Sequence, residues 1–120
     1  MTVEDAVAEQ LVMTNDTWAA LQDEGVDEGS SLSLDFFFVD GDEQSARALQ
    51  LALSDEVAQL DVTTTKVGIF KKRQVWSVNG TTKPFAVSLP VLRDWVVRMV
   101  RLGAEHGLEF DGWGAEVPGP

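Results

Sequence analysis

The sequence predicts an α+β domain: a four-stranded antiparallel sheet with two helices on one face and a further helix ahead of them. Three observations predict it. Stretches with the two-residue alternation of strands, such as Ser31–Val39, interleave with stretches whose apolar residues recur at helical spacing, such as Leu89–His106. Cap-forming residues stand where those helical stretches begin and glycines where they end. At 120 residues, the chain can enclose one hydrophobic core but not two.

The first thirteen residues combine Thr2 and Asp5, spaced as a capping box, with Val3, Val7 and Leu11 on one helical stripe. Thr14-Asn15-Asp16-Thr17 then reads as a second N-cap, opening a helix through Trp18, Leu21 and Gln22 that stops at Gly25. The expectation is a broken helix, or a loose arm followed by a helix. Asp23 to Ser31, acidic and punctuated by glycine, reads as a loop.

Ser31–Val39 is the clearest strand, ended by Asp40-Gly41-Asp42. Its alternation places Leu32, Leu34, Phe36 and Phe38 on one face, with Ser33, Asp35, Phe37 and Val39 on the other. The first set is core. On the second, Phe37 and Val39 need cover from the N-terminal helix, a second subunit or a partner. Asp40 or Asp42 caps a helix from Glu43 to about Ser54, with Ala46, Leu49, Ala52 and Leu53 inward.

Two β-rich runs, Asp61–Phe70 and Arg73–Asn79, predict a hairpin around Lys71-Lys72, and Gly80–Lys83 reads as a turn toward Pro84. The last helix buries Leu92, Trp95, Val96, Met99, Val100 and Leu102, with Ser88 as N-cap, Pro90 in the first turn and Gly107 as C-cap. Almost no loop separates it from Leu108–Gly114. There Gly112 and Gly114 bracket Trp113, which predicts a kink or bulge. A βαββαβ order behind an N-terminal helix predicts a ferredoxin-like antiparallel sheet. The organisation expected is an N-terminal arm or helix (residues 1–14), one domain (15–117) and a short tail (118–120).

The net charge of -11 is unevenly spread. Residues 1–61 hold fifteen acids against Arg47 alone, whereas residues 62–93 hold no acid and six bases. Such a dipolar surface steers a charged partner, although charge of this size also serves ordinary solubility. No apolar run approaches the roughly 20 residues that span a bilayer. The acidic Met1–Gln10 lacks the pattern of a signal peptide, so the expected location is the cytoplasm. The absence of cysteine excludes disulfides, thiolate metal sites and a cysteine nucleophile.

Catalytic chemistry is not legible. His106, the one histidine, sits in the last turn of a helix, where a solvated or capping role is ordinary. Asp40, Asp42 and Glu43 supply carboxylates for a hard cation, yet their spacing suits helix capping better than a calcium loop. Neither a P-loop nor G-x-G-x-x-G occurs, and no cofactor or metal is expected. Phe37 and Trp113 could offer stacking surfaces to RNA, but Asp35, Glu109 and Asp111 are expected on the same face and repel phosphates. The basic hairpin reads as a sheet edge protected by lysines.

Phe110-Asp111-Gly112-Trp113-Gly114, behind a helix carrying Leu102-Gly103-Ala104-Glu105, resembles the C-terminal signature of the regulator of ribonuclease E activity B (RraB-like) family. Leu21-Gln22-Asp23-Glu24-Gly25-Val26-Asp27 is similar to that family's acidic helix end, and the resemblance covers roughly residues 15–116. Phe110 stands where the family usually has tyrosine. The resemblance implies a ferredoxin-like fold and a protein that inhibits a ribonuclease E-type enzyme by binding it.

The candidate partner-binding residues are Asp35, Phe37, Asp111, Gly112, Trp113 and Gly114. For Trp113 and Asp111 two readings stand side by side. In one, the indole plugs the sheet edge and the carboxylate accepts amides of its own turn; in the other, Trp113 anchors a partner, so that Trp113→Ala weakens binding without unfolding the domain. The function expected is a non-enzymatic acidic regulator acting on a protein partner. Homodimerisation, a small-ligand sensor or enzyme with a pocket near the last strand, and an RNA-binding module are the other readings carried forward.

Overall fold

The computed structural model describes residues 2–69 and 73–117. The Lys71-Lys72 connection and the tail at 118–120 lie outside the described residues. The chain begins with α1 (Val3–Asp23), one unbroken helix. Thr2 Oγ1 accepts from the Asp5 amide and the Asp5 carboxylate accepts from the Thr2 amide, so the predicted capping box is formed. The expected break at Thr14 does not occur. Thr14 lies fully buried in mid-helix, and the side chain read as a cap is engaged elsewhere. At the other end Gly25, at φ +99°, lets its own amide and that of Val26 close on Gln22 and Leu21, satisfying carbonyls the helix leaves free.

The strand expected at Ser31–Val39 is divided into β1 (Ser31–Leu32) and β2 (Asp35–Gly41). At the break, Thr82 replaces the missing strand partner: its hydroxyl accepts from the Leu34 amide at 2.9 Å and its own amide donates to the Leu34 carbonyl at 2.9 Å. α2 (Glu43–Leu53) is capped by Asp42, whose carboxylate accepts from the Ser45 amide at 2.7 Å. Ala46, Leu49 and Leu53 are buried as expected, whereas Ala52 turns out to be exposed.

β3 (Val57–Val67) starts four residues earlier than its sequence pattern indicates. β4 (Arg73–Thr82) runs straight through Gly80, where a turn is expected. Gly80 is a close-approach residue: a Cβ there would stand 2.6 Å from Phe36 Cζ. The short β5 (Phe85–Ala86) pairs with β1 in a small second sheet that the sequence pattern does not reveal. α3 (Leu89–Glu105) begins on Ser88, whose hydroxyl accepts from Val91, and β6 (Glu109–Gly114) follows at once. The inward residues of α3 are those expected, except that Gly103 rather than Leu102 is fully buried.

The four-stranded sheet has the order β3-β4-β2-β6, with every neighbouring pair antiparallel. Its core lies on one side. There Phe36, Phe38, Trp95 and Phe110 form a closed ring of edge-to-face contacts with centroids 5.2–6.5 Å apart, joining β2 and β6 to α3. Such pairs add about 0.5–1.5 kcal/mol each beyond simple burial, so they fix the crossing of α3 over these strands.

Candidate functional site

The last strand carries the motif singled out in the sequence, and one irregularity decides where its side chains point. Phe38 pairs with Phe110 and Phe37 with Gly112, so Asp111 and Gly112 together oppose Phe37 in a β-bulge. Gly112 has φ +139°, a conformation that disfavours any side chain. Regular alternation from the buried Phe110 would send Trp113 to the opposite face. The extra residue reverses that parity, and Trp113 instead pairs with Phe36 on the helix-covered side.

Trp113 is therefore half-buried between α1 and α3. Its indole N–H donates to Thr14 Oγ1 at 3.0 Å, and its ring meets Trp95 edge-on at 6.1 Å. This corrects the expectation that Phe37 and Trp113 share a face. It also corrects the reading of Thr14 as a helix start, because that hydroxyl is the acceptor fixing the indole. The groove nearest the last strand, of about 280 Å³, is walled by Thr2, Ala6, Ala104 and Phe110 rather than by Trp113.

The other five candidates do come together, on the uncovered face. Phe37 is 42% exposed at its centre. Asp35 neighbours it on β2 and accepts from Thr81 Oγ1 at 2.7 Å. Gly112 lies across from Phe37 and Gly114 across from Asp35, while Asp111 projects from the bulge. Strand pairing adds residues not named from the sequence. Asn79 opposes Phe37, Asp61 opposes Asn79, and a shallow depression of about 160 Å³ lies among Asp35, Phe37, Asp61 and Asn79. Glu109, expected on this face, opposes Val39. Parity along each strand could have linked Asp61 to Phe37 only once the register was known.

The resulting surface has Asp35, Asp61, Glu109 and Asp111 around a solvent-facing ring. Among the described residues Arg73, at the far end of β4, is the one base in register with that face. A flat, acid-rimmed aromatic surface suits a basic polypeptide, whose aliphatic stems and cationic heads can pack on Phe37. A nucleic acid would bring phosphates against four carboxylates.

Groups with catalytic or metal-binding potential lie elsewhere and apart. His106 is the C-cap of α3. Asp42 spends its carboxylate on the Ser45 amide and hydroxyl, which hold its pKa below the ordinary 3.8. Among the described residues no three acidic or histidine side chains are grouped to hold a metal ion, and no helix is long and apolar enough to cross a membrane.

The family model described as regulator of ribonuclease activity B matches residues 12–115, from the middle of α1 to just beyond β6. The chain belongs to the regulator of ribonuclease activity B family. The match takes in the whole sheet, the bulge and the Thr14–Trp113 hydrogen bond, so the elements that shape the acidic face lie within the family's common region. Membership implies regulation of ribonuclease activity through protein binding, and it accords with a regulator rather than an enzyme. No curated protein matches the chain.

Proposed function

We propose that this member of the regulator of ribonuclease activity B family is a non-enzymatic inhibitor that binds a basic polypeptide segment of a ribonuclease E-type enzyme in the cytoplasm. The segment docks on the uncovered sheet face, over Phe37, and so competes with RNA for the same positive charges. The observation that carries this reading is Phe37, 42% exposed and surrounded by Asp35, Asp61, Glu109 and Asp111. We read the fold as ferredoxin-like within residues 15–117, supported by an all-antiparallel order in which β4 separates β2 from β3 and β2 separates β4 from β6.

The placement of Trp113 refines the site. Asp35, Phe37, Asp111, Gly112 and Gly114 meet the partner, while Trp113 positions the strand that presents them. Titration of the full chain with an arginine-rich ribonuclease segment tests this. Affinity should fall steeply as salt rises, and Phe37→Glu should abolish binding while leaving the fold intact. Binding that ignores both salt and Phe37 would count against the reading.

A further inference from the structure

The depression on the uncovered face is built from three strands and is too small for a free ligand. Its volume of about 160 Å³ falls below the about 300–1,000 Å³ of small-molecule pockets, so it takes a single side chain. Strand register lays its walls out in two rungs. Asp35, Thr81 and Gln59 stand side by side in one, and Phe37, Asn79 and Asp61 in the next. Gly80, between the rungs, faces the helices, so its backbone forms the floor. Asp35 and Asp61 hold opposite corners of this array. With strands about 4.8 Å apart and a rise of about 3.4 Å per residue, the Cα of each lies about 6 Å from the centre above Gly80.

Both carboxylates are held by uncharged donors. Thr81 Oγ1 donates to Asp35 Oδ1 at 2.7 Å, which draws that half-buried carboxylate toward the depression, and Gln59 Nε2 donates to Asp61 Oδ2 at 3.4 Å. Among the described residues neither carboxylate has a cation against it, and the second oxygen of each accepts no hydrogen bond. Asn79, between Phe37 and Asp61, adds an amide oxygen that can accept as well. On the β6 side Gly112 and Gly114 stand across from Phe37 and Asp35 and carry no side chain, which leaves the ring and the carboxylate open to a chain arriving from there.

We propose that this array is an arginine-reading socket, in which the basic segment is recognised by a guanidinium seated above Gly80 and not by positive charge alone. The inference rests on the ribonuclease-binding reading and deepens it. An arginine presents five N–H donors in one rigid plane, so a single side chain can meet carboxylates at two opposite corners while its face and stem lie against Phe37. A lysine brings a compact, strongly hydrated charge that serves one corner at a time. Thr81 is the positioning residue, because its hydroxyl sets the direction of the Asp35 carboxylate.

The test measures binding of the full chain to an arginine-rich ribonuclease segment and to the same segment with every arginine replaced by lysine, which keeps the charge and changes its shape. The arginine form should bind about tenfold more tightly at equal salt. Thr81→Val should erase most of that preference by weakening the arginine form more than the lysine form, and Thr81→Ser should restore it. Phe37→Leu, which keeps apolar bulk but removes the ring face, should narrow the preference in the same way. Circular dichroism checks that each variant is folded, and the ratio of the two affinities does not move with a general loss of stability, since both segments report on the same folded fraction. Equal, salt-sensitive binding of the two segments would overturn the socket and leave the ribonuclease-binding reading standing, whereas binding of neither would remove both. A preference that survives Thr81→Val and Phe37→Leu unchanged would also overturn it.

Discussion

Replacing Thr14 by valine removes the acceptor of the Trp113 indole while keeping the shape of the side chain. Thr14 is fully buried, so valine fills the same space with no cavity, and both residues are β-branched with similar helix propensity. What is lost is one hydrogen bond of 3.0 Å. An unsatisfied buried donor costs about 1–3 kcal/mol, and the half-buried indole allows water to recover part of that. The expected loss is about 1.5 kcal/mol, toward the lower half of that range. With an unfolding entropy of about 2.1 cal/mol/K per residue, 120 residues give about 0.25 kcal/mol/K, so the melting temperature should fall by about 6 °C. Trp113→Phe removes the donor instead, and the double variant isolates the pair. Calorimetry or urea unfolding of the four proteins should yield a coupling of about 1 kcal/mol. Additive losses would show that the indole is not held by Thr14 and would refute its placement on the helix side.

Three further outcomes follow from the same geometry. Gly112→Ala should destabilise by about 1–3 kcal/mol through backbone strain alone, since nothing lies within 4 Å of the added Cβ at φ +139°; unfolding at the parental urea midpoint would rule out the bulge. Trp113→Ala should lower stability by about 2–3 kcal/mol, below the range for a fully buried tryptophan because the indole is half-buried; a variant of parental stability would restore the partner-anchor reading of this residue. Asp42, with its folded pKa below 3.8, stabilises the domain above its unfolded pKa, and that contribution is lost as pH falls through the lower folded value. Asp42→Asn keeps a cap but should flatten this part of an acid-unfolding profile, and an unchanged profile would contradict the role given to Asp42.

Much of the fold is legible because local chemistry and packing agree. Ser88, Gly107 and the apolar stripe of α3 make one consistent helix, as do Asp42, Ala46, Leu49 and Leu53 for α2. The misread positions are those where a residue with strong local meaning serves a distant partner. Thr14 looks like a cap but accepts from an indole 99 residues away, and Gly80 looks like a turn but makes room for Phe36. Gly112 and Gly114 do announce a bulge at Trp113. Its consequence for parity depends on which residue of β2 lies opposite, and that register is set by the closed aromatic ring rather than by any local pattern. Alternation along β2 and β6 suffices to mark Asp35, Phe37 and Asp111, whereas Asp61 and Asn79 join them only through strand pairing.

Amide and indole chemical shifts of the full chain, followed by NMR during titration with an arginine-rich ribonuclease segment, test the central claim most directly. The account predicts that Asp35, Phe37, Asp61, Asn79 and Asp111 shift together while the Trp113 indole N–H stays in place on Thr14. Shifts confined to the helices, or a Trp113 indole signal that moves first and farthest, would contradict it.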